Sequence, residues 1–340
     1  MDCKRTERNV LLDYIRAAAC LLIVFYHYTQ RFSELFDQGT DWLFRVPWGY
    51  MAVSVFFMLS GYLAVVKDES FLSLRQYTKK KVLRLFPAYW ICLPITFLVT
   101  SLFVPSRAVS VGAFLFNFTM LESFVGIEPV DGAYWTLANE LVFYAFIAIT
   151  TVILRKRETL PVYGLIWVIL LLIYQFVSND SLVFAAIGKI IAKQYGHMFV
   201  LGMSLFYLFD QKNNSMKAMS VINIFLALVY QYIVFESGYF CYMTISGVLI
   251  GICIVLNNKS FELPVTVKKI LCPLEMVAGI SYPLYLIHQN TGYAIMLAEI
   301  KWVSHTEWII IAPIVATCLA AYLIHRYVEI PIAARFRQSE

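Results

Sequence analysis

Several ionisable side chains interrupt otherwise apolar stretches of the sequence, and three of them could do chemistry. The stretch LLDYIRAAACLLIVFYHYTQ (11–30) carries Arg16 and His27, and AYWTLANELVFYAF (133–146) carries Glu140. A histidine can exchange a proton near neutral pH, a carboxylate can orient that histidine, and an arginine can bind an anion. Because charged groups inside a membrane are costly, they usually mark a function. The pattern predicts acid–base chemistry near an anion-binding group.

The spacing of the first two residues supports this interpretation. Arg16 and His27 are eleven residues apart, so a helix presents both on one face, about 16 Å apart along its axis. The alternative is that each residue lies at a headgroup layer of the membrane. For His27 the shared face favours a functional role, and for Arg16 the functional role and the headgroup position are equally consistent with the sequence. Glu140 lies several residues inside its stretch, where it needs a partner or water, and a structural ion pair is its alternative role.

Composition indicates the setting in which these residues must be positioned. The 340 residues are 60% hydrophobic and only 14% charged, with a mean hydropathy of +0.70. Soluble domains carry about 25% charged residues. These values exclude a water-soluble enzyme and a disordered chain, and they favour one all-α polytopic membrane domain over residues 1–340. The net charge of +5 does not indicate nucleic-acid binding, because the basic residues lie in short loops between apolar segments.

A membrane-spanning helix needs about 20 mostly apolar residues, and the sequence predicts about ten such spans. The two weakest are 194–209 and 219–235. The predicted spans are 11–29, 48–66, 84–103, 134–154, 161–177, 194–209, 219–235, 239–256, 274–298 and 306–327.

The distribution of basic residues predicts how these spans are oriented. With the N-terminus inside, 20 of the 27 Lys and Arg residues fall in cytoplasmic segments, six fall in outer loops and Arg16 remains within a span. Cytoplasmic loops are enriched in Lys and Arg. We therefore predict a helical bundle in the cytoplasmic (inner) membrane with both termini in the cytoplasm. One span more or fewer would invert the assignment of every later loop.

The longest predicted outer loop is residues 104–133. Its stretch 111–124 is apolar but broken by polar residues, so we expect it to lie in the interface or to fold back over the bundle. An ordinary ordered loop is the alternative. The seven cysteines have neither the distribution of a disulfide framework nor the spacing of a structural zinc site, and no metal is predicted.

Further candidates lie near the ends of other spans. The stretch RQYTKKKVLRLFPAYW (75–90) places Lys81 and Arg84 three residues apart, where they could share a helix face or simply anchor the loop. The pair Ser60–Gly61 permits close approach of another helix. His288 falls near the middle of the ninth span, where a hydrogen-bonded buried histidine is at least as consistent with the sequence as a catalytic one.

Taken in order, these motifs resemble the acyltransferase 3 family of integral membrane acyltransferases. Any one match is weak, but six in the correct order together with ten spans are specific. The matching stretches are LDYIRAAACLLIVFYH (12–27), VFFMLSGYL (55–63), KKKVLRLFPAYW (79–90), YWTLANELVFY (134–144), ISYPLYLIH (280–288) and VEIPIAARF (328–336).

The chain departs from the family pattern at three positions. Tyr14 stands where a small residue is common, and Lys81 stands where the family often has an arginine. Lysine keeps the charge but lacks the planar fork that binds phosphate in two places. Leu141 follows Glu140 where many relatives have a second acid, so Glu140 alone is the candidate carboxylate.

The resemblance implies an O-acyltransferase that moves an acyl group, often acetyl, from cytoplasmic acyl-CoA to a hydroxyl of a cell-surface polysaccharide or its lipid-linked precursor. Catalysis is then assigned to His27 as general base and Glu140 as its orienting carboxylate, without a choice between direct transfer and an acyl-histidine intermediate. The residues assigned to binding acyl-CoA are Arg16, Lys81, Arg84 and Ser60. Trp135, Tyr144 and His288 are candidates to support this site or to contact the acceptor.

The resemblance also implies the partners. We expect acyl-CoA as a co-substrate with no permanently bound cofactor, a lipid bilayer, a glycan acceptor and glycan-assembly proteins. Some relatives carry an extracytoplasmic hydrolase-like domain, which we expect to be absent here. The rival functions are a transporter of an acyl donor or glycan, and a catalytically silent sensor or scaffold with the same fold.

Overall fold

The computed structural model describes residues 10–36, 44–177, 181–209, 214–235, 247, 264–302 and 306–338. Within these ranges the regular structure is helical and contains no strand, which confirms the all-α prediction. In chain order the longer helical segments are α1 (Val10–Phe36), α2 (Gly49–Val66), α3 (Leu74–Phe103), α4 (Val111–Asn117), α5 (Glu122–Val125), α6 (Trp135–Ile153), α7 (Arg157–Phe176), α8 (Leu182–Ile190), α9 (Gly196–Phe209), α10 (Asn214–Val234), α11 (Val265–Glu299) and α12 (Trp308–Arg335).

Eight of these helices are long and apolar enough to cross a membrane, namely α1, α2, α3, α6, α7, α10, α11 and α12. Each corresponds to a predicted span. The predicted span 194–209 forms α9, a shorter apolar helix. The predicted span 239–256 lies outside the described residues except for residue 247. The chain is thus a multi-pass membrane protein, and the count of ten and the cytoplasmic location of its termini stay predictions.

The third span begins earlier than predicted. We expected residues 67–84 to form a loop, whereas α3 already begins at Leu74 and includes Lys81 and Arg84. Lysine, arginine and glutamine favour helix, so the basic stretch continues the apolar helix rather than ending it. The two binding candidates therefore lie on a regular helix.

The chain divides into two compact units. The first unit comprises residues 1–15, 51–77 and 139–272, and the second comprises residues 16–50, 78–138 and 273–340. The assignment of residues 1–340 to a single acyltransferase domain stays a prediction.

The first unit is built on a close contact between α2 and α9. A Cβ added to Gly61 would overlap the carbonyl oxygen of Phe199, and one added to Gly202 would overlap that of Met58. Each helix thus presents a glycine to the backbone of the other, an arrangement by which small residues let membrane helices approach closely. The close approach predicted for Ser60–Gly61 is confirmed, and its partner is α9.

In the second unit, the loop 104–133 is folded back on α3. The Phe114 ring stacks on that of Phe97 with centroids 4.1 Å apart. Trp90 Nε1 donates to the carbonyl oxygen of Phe118 at 3.0 Å, and the Tyr89 hydroxyl donates to that of Asn117 at 2.7 Å. Hydrogen bonds and ring stacking therefore hold the apolar stretch against the second half of α3.

Candidate functional site

His27 lies in an unusual segment of α1. The helix widens into a π-helical turn at Tyr26–Arg31, and such turns often occur at functional sites. The Tyr28 hydroxyl donates to the carbonyl oxygen of His288 at 2.8 Å, and a Cβ on Gly292 would overlap the Tyr28 ring. Tyr28 therefore holds the π turn tightly against α11, next to the histidine pair described below.

The ring of His27 is hydrogen-bonded to that of His288. His288 Nε2 and His27 Nδ1 are 2.9 Å apart. His288 Nδ1 lies 3.1 Å from the carbonyl oxygen of Leu284 and 2.9 Å from that of Tyr285. Carbonyl oxygens only accept hydrogen bonds, so His288 Nδ1 carries a proton. When His288 is neutral its Nε2 is the acceptor, and His27 Nδ1–H is the donor.

This hydrogen-bond pattern assigns the tautomer of His27. With its proton on Nδ1, the Nε2 of His27 keeps a free lone pair. His288 is fully buried, whereas His27 is half-buried. The pair thus consists of a buried, anchored ring and a more accessible ring whose Nε2 can accept a proton.

A hydrogen-bonded network beside this pair was not predicted. Arg107 Nε donates to Asn290 Oδ1 at 2.6 Å, and Asn290 Nδ2 donates to the carbonyl oxygen of Val130 at 3.0 Å. The Asp131 carboxylate accepts from the backbone N–H of Ala133 at 2.9 Å and of Asn290 at 3.1 Å. Burial raises the pKa of Asp131 to about 6, although these two N–H groups and Arg107 favour its charged form.

The structure places Glu140 and Ser60 together in the first unit. The Ser60 hydroxyl lies 3.2 Å and 3.4 Å from the two carboxylate oxygens of Glu140 and donates to them. Ser60 was assigned to acyl-CoA binding, whereas here it is a partner of the candidate carboxylate. Tyr144 is buried one helical turn further along α6, and its carbonyl oxygen accepts from the Tyr77 hydroxyl at 3.1 Å. His27 belongs to the second unit, so its predicted pairing with Glu140 stays a prediction.

The three basic candidates all belong to the second unit. Arg16 lies on α1, and Lys81 and Arg84 lie on α3, where Lys81 is half-buried and Arg84 is exposed. Trp135, at the start of α6, is half-buried in the same unit. The π turn begins at Tyr26, only one residue before His27. The chain between Arg16 and His27 is therefore almost entirely regular α-helix.

Other charged groups accompany Arg84 in that unit. Tyr282 donates to the carbonyl oxygen of Leu85, the neighbour of Arg84, at 2.9 Å. Three residues before Tyr282, a Cβ on Gly279 would lie 3.6 Å from His325 Nε2. His325 Nδ1 in turn lies 2.6 Å from Glu329 Oε2. The ion pair of His325 and Glu329 therefore lies in the same part of the unit as Arg84.

The model of the acyltransferase domain family matches residues 9–331. The chain belongs to the acyltransferase 3 family. The match includes every candidate site residue, seven of the eight spanning helices in full and most of α12, which confirms the resemblance seen in the six motifs.

Curated relatives of this family member include the O-acetyltransferases OatA of Staphylococcus aureus strains COL, MRSA252 and MW2. Each is 27% identical over 214 residues, which are 53% of this chain and 33% of the relative. The chain thus matches about a third of the length of these relatives. No solved structure matches the chain significantly.

Within this acyltransferase domain, two kinds of signal distinguish the residues that were predicted from those that were missed. His27, Glu140 and His288 are polar residues in apolar spans, and a sequence displays such residues directly. Arg107 and Asp131 lie in a loop, where charged residues are ordinary. Only the contacts with α11 single them out.

Proposed function

We propose that this chain is a membrane O-acyltransferase that transfers an acyl group, in the first instance acetyl, from acyl-CoA to a hydroxyl of a cell-surface glycan or its lipid-linked precursor. Membership of the acyltransferase 3 family supports the reaction class. The relatives named O-acetyltransferase support acetyl as the group and oxygen as the acceptor atom.

The observation that carries this proposal is the hydrogen-bonded histidine pair. His27 Nε2 accepts the proton of the acceptor hydroxyl, and the oxygen attacks the thioester carbonyl carbon. The bond from that carbon to sulfur breaks, and the CoA thiolate leaves and takes up the proton from His27. His288 holds the ring of His27 through its Nδ1 and keeps Nε2 directed to the substrate. This direct transfer needs no covalent enzyme intermediate.

The proposal assigns the donor to the basic residues. Three cations, those of Arg16, Lys81 and Arg84, bind the phosphates of CoA. Each does so through charge-assisted hydrogen bonds from its N–H groups to the phosphate oxygens. Acyl-CoA is made in the cytoplasm, so these residues are placed at the cytoplasmic side of the inner membrane, with both chain termini on that side. The pantetheine arm then follows α1 from Arg16 toward His27, a distance of about 16 Å for eleven helical residues.

The first unit contributes the candidate carboxylate. A half-buried carboxylate within a span is stabilised by a hydroxyl donor, which Ser60 supplies to Glu140. We assign Glu140 to stabilising the imidazolium that His27 becomes during proton transfer. Trp135 and Tyr144 of the same motif are assigned to supporting this residue or contacting the acceptor.

Purified protein in nanodiscs, supplied with radiolabelled acetyl-CoA and an envelope glycan fraction from its host, tests the proposal. The expected result is CoA thiol release together with label in the glycan. His27→Ala should lower transfer by about 10²- to 10⁴-fold, the usual contribution of a general base. Circular dichroism and acetyl-CoA binding should be unchanged in this variant.

Two outcomes would contradict the proposal. Full transfer by His27→Ala would remove the base from the mechanism. Uptake of acetyl-CoA or glycan into vesicles without any release of CoA thiol would favour the transporter function. Added host membrane extract distinguishes an inactive enzyme from one that needs a glycan-assembly partner.

A further inference from the structure

A cluster of polar groups lies beside the histidine pair, and the proposed mechanism does not use it. We call Arg107, Gln289 and Tyr293 the arginine cluster. Arg107 Cζ lies 5.9 Å from the centroid of the Tyr293 ring, and its Nε is bound to Asn290. Gln289 and Tyr293 are buried on α11, next to and five residues after His288. The loop and the helix thus bring a cation, an amide and a phenol together.

A glycine makes room for this meeting. A Cβ added to Gly132 would lie 2.8 Å from Gln289 Nε2 and 3.0 Å from Arg107 Nη2. Any larger residue at this position would displace one of the two polar groups. The guanidinium and the amide therefore converge on a space that only glycine leaves open.

The cluster has hydrogen-bonding capacity that the protein does not use. Gln289 Oε1 is buried with no hydrogen-bond partner in the part of the chain that the structure describes, and the buried Tyr293 hydroxyl is approached there by the Gln289 side chain alone. Such groups are uncommon, because a buried polar atom without a partner is costly. Arg107 has five N–H donors, and its Nε donates to Asn290 Oδ1. The groups that can bind a ligand are therefore the Nη donors of Arg107, the Tyr293 hydroxyl and Gln289 Oε1.

Arg107 and the neighbouring Arg31 differ in whether a carboxylate forms an ion pair with them. Arg31 Nη1 lies 2.8 Å from Glu34 Oε2 and is neutralised there. Among the described residues, Arg107 forms no such ion pair. The carboxylate that acts on it electrostatically is Asp131, whose oxygens accept backbone N–H groups instead. A guanidinium with free Nη donors is suited to bind a carboxylate or phosphate in two places.

The cluster is also close to the proposed base. The Tyr293 ring contacts Arg107 on one side, and its centroid lies 6.5 Å from that of the His27 ring. An acid bound by Arg107 and a hydroxyl bound at His27 therefore flank one tyrosine ring. Arg107 also acts electrostatically on His27, so the two groups are close enough for one ligand to contact both.

We propose that the arginine cluster binds an acidic group, a carboxylate or a phosphate, of the same glycan whose hydroxyl is acylated at His27. Arg107 and the Tyr293 hydroxyl donate to the acid, and Gln289 Oε1 accepts from a sugar hydroxyl. The acceptor is then an acidic glycan. This inference rests on the proposed acyltransferase function and assigns its substrate class.

The experiment uses the host glycan fraction as acceptor in three forms: untreated, with carboxylates converted to methylamides by carbodiimide, and with phosphates removed by hydrofluoric acid. We expect one of the two treatments to lower labelling by the wild-type protein about ten- to a hundredfold, the value of a charge-assisted hydrogen bond. The treatment that does so identifies the acid. Arg107→Gln should label the untreated fraction as poorly as the wild-type protein labels the neutralised one.

Two further variants control for folding. Arg31→Gln removes a paired arginine and should keep the wild-type preference. Gly132→Ala keeps every charge but fills the space between Arg107 and Gln289, so it should reduce the preference even where Arg107→Gln does not accumulate in membranes. Equal labelling of all three fractions by the wild-type protein would overturn the proposal while leaving the acyltransferase function intact. Absence of any His27-dependent labelling would overturn both.

Discussion

One helix contact in each unit illustrates two ways of joining helices. In the first unit, α2 and α9 touch through reciprocal glycines, and Phe143 stacks on Phe199 with ring centroids 4.2 Å apart. In the second unit, polar side chains join α11 to other segments. Tyr28 donates to the backbone of His288, and Arg107 donates to Asn290. Hydrogen bonds also join segments of the first unit, such as the one from Asn223 Nδ2 to the carbonyl oxygen of Pro161 at 2.8 Å. The difference is that the polar contacts named in the second unit lie around a pair of histidine rings.

This difference indicates which polar side chains are buried within spans although their burial costs free energy. Close packing of glycine and aromatic residues suffices to associate helices in a bilayer. Polar groups within spans are expensive and need a reason other than helix association. In the second unit these groups surround His27. Ser60 and Glu140 are the counterpart within the first unit, and they mark its own candidate for chemistry.

The sharpest test of this comparison is at His288. If His288 orients His27, His288→Ala should lower kcat about 10- to 100-fold, as is typical for residues that orient a functional histidine through its second nitrogen. His288→Gln keeps an oxygen that can accept from His27 Nδ1–H, so it should recover part of this loss. Steady-state kinetics at several pH values measures both variants.

The matched pair also distinguishes orientation from packing. A purely structural role would lower the melting temperature of both variants and leave the pH profile of kcat unchanged. An orienting role predicts a changed pH profile for His288→Ala and a profile close to the wild type for His288→Gln. Equal kcat in all three proteins would remove His288 from the site.

The second test concerns the first unit. Gly202→Ala places a methyl group where it would overlap the carbonyl oxygen of Met58, so α2 and α9 must separate. Overpacking of this kind costs about 1–3 kcal/mol. We expect a lower melting temperature in detergent. Gly112→Ala is the control, because the nearest atom to its added Cβ is Ser110 Oγ at 3.9 Å. An equal effect of the two substitutions would contradict packing by shape.

The sequence predicted the eight spanning helices that the structure describes and named candidate site residues within them, and the reason is physical. A charge or histidine in an apolar stretch is conspicuous, so Arg16, His27 and Glu140 could be found. The bond between His27 and His288 joins residues 261 positions apart, and no local pattern encodes it. Long-range contacts are set by packing of complete helices.

The residues that were missed have a different explanation. Arg107 counted as one of six basic residues in the predicted outer loops, and its sequence neighbours give no sign of Asn290, 183 positions away. The helical start of α3 was missed because a basic stretch beside a span was assigned to a loop. A basic residue in a loop is explained equally well by topology, so its charge gives no sign of a functional contact.

The smallest predicted effect is a dependence of stability on pH at Glu122, in the loop folded on α3. This side chain is buried, and no other residue in the described part of the chain forms a hydrogen bond with its carboxylate. Burial raises the pKa of Glu122 from 4.5 to about 7. In an unfolded chain the carboxyl ionises near pH 4.5, so the folded state loses stability as pH rises from about 4.5 to 7.

The substitution Glu122→Gln removes this loss of stability. We expect its melting temperature to exceed that of the wild-type protein by a few degrees at pH 8 and by less at pH 5. Any penalty from burying the amide is the same at both pH values, so the change in the difference measures the carboxylate alone. A difference that does not grow between pH 5 and pH 8 would show that Glu122 is solvated or paired in the membrane-bound protein.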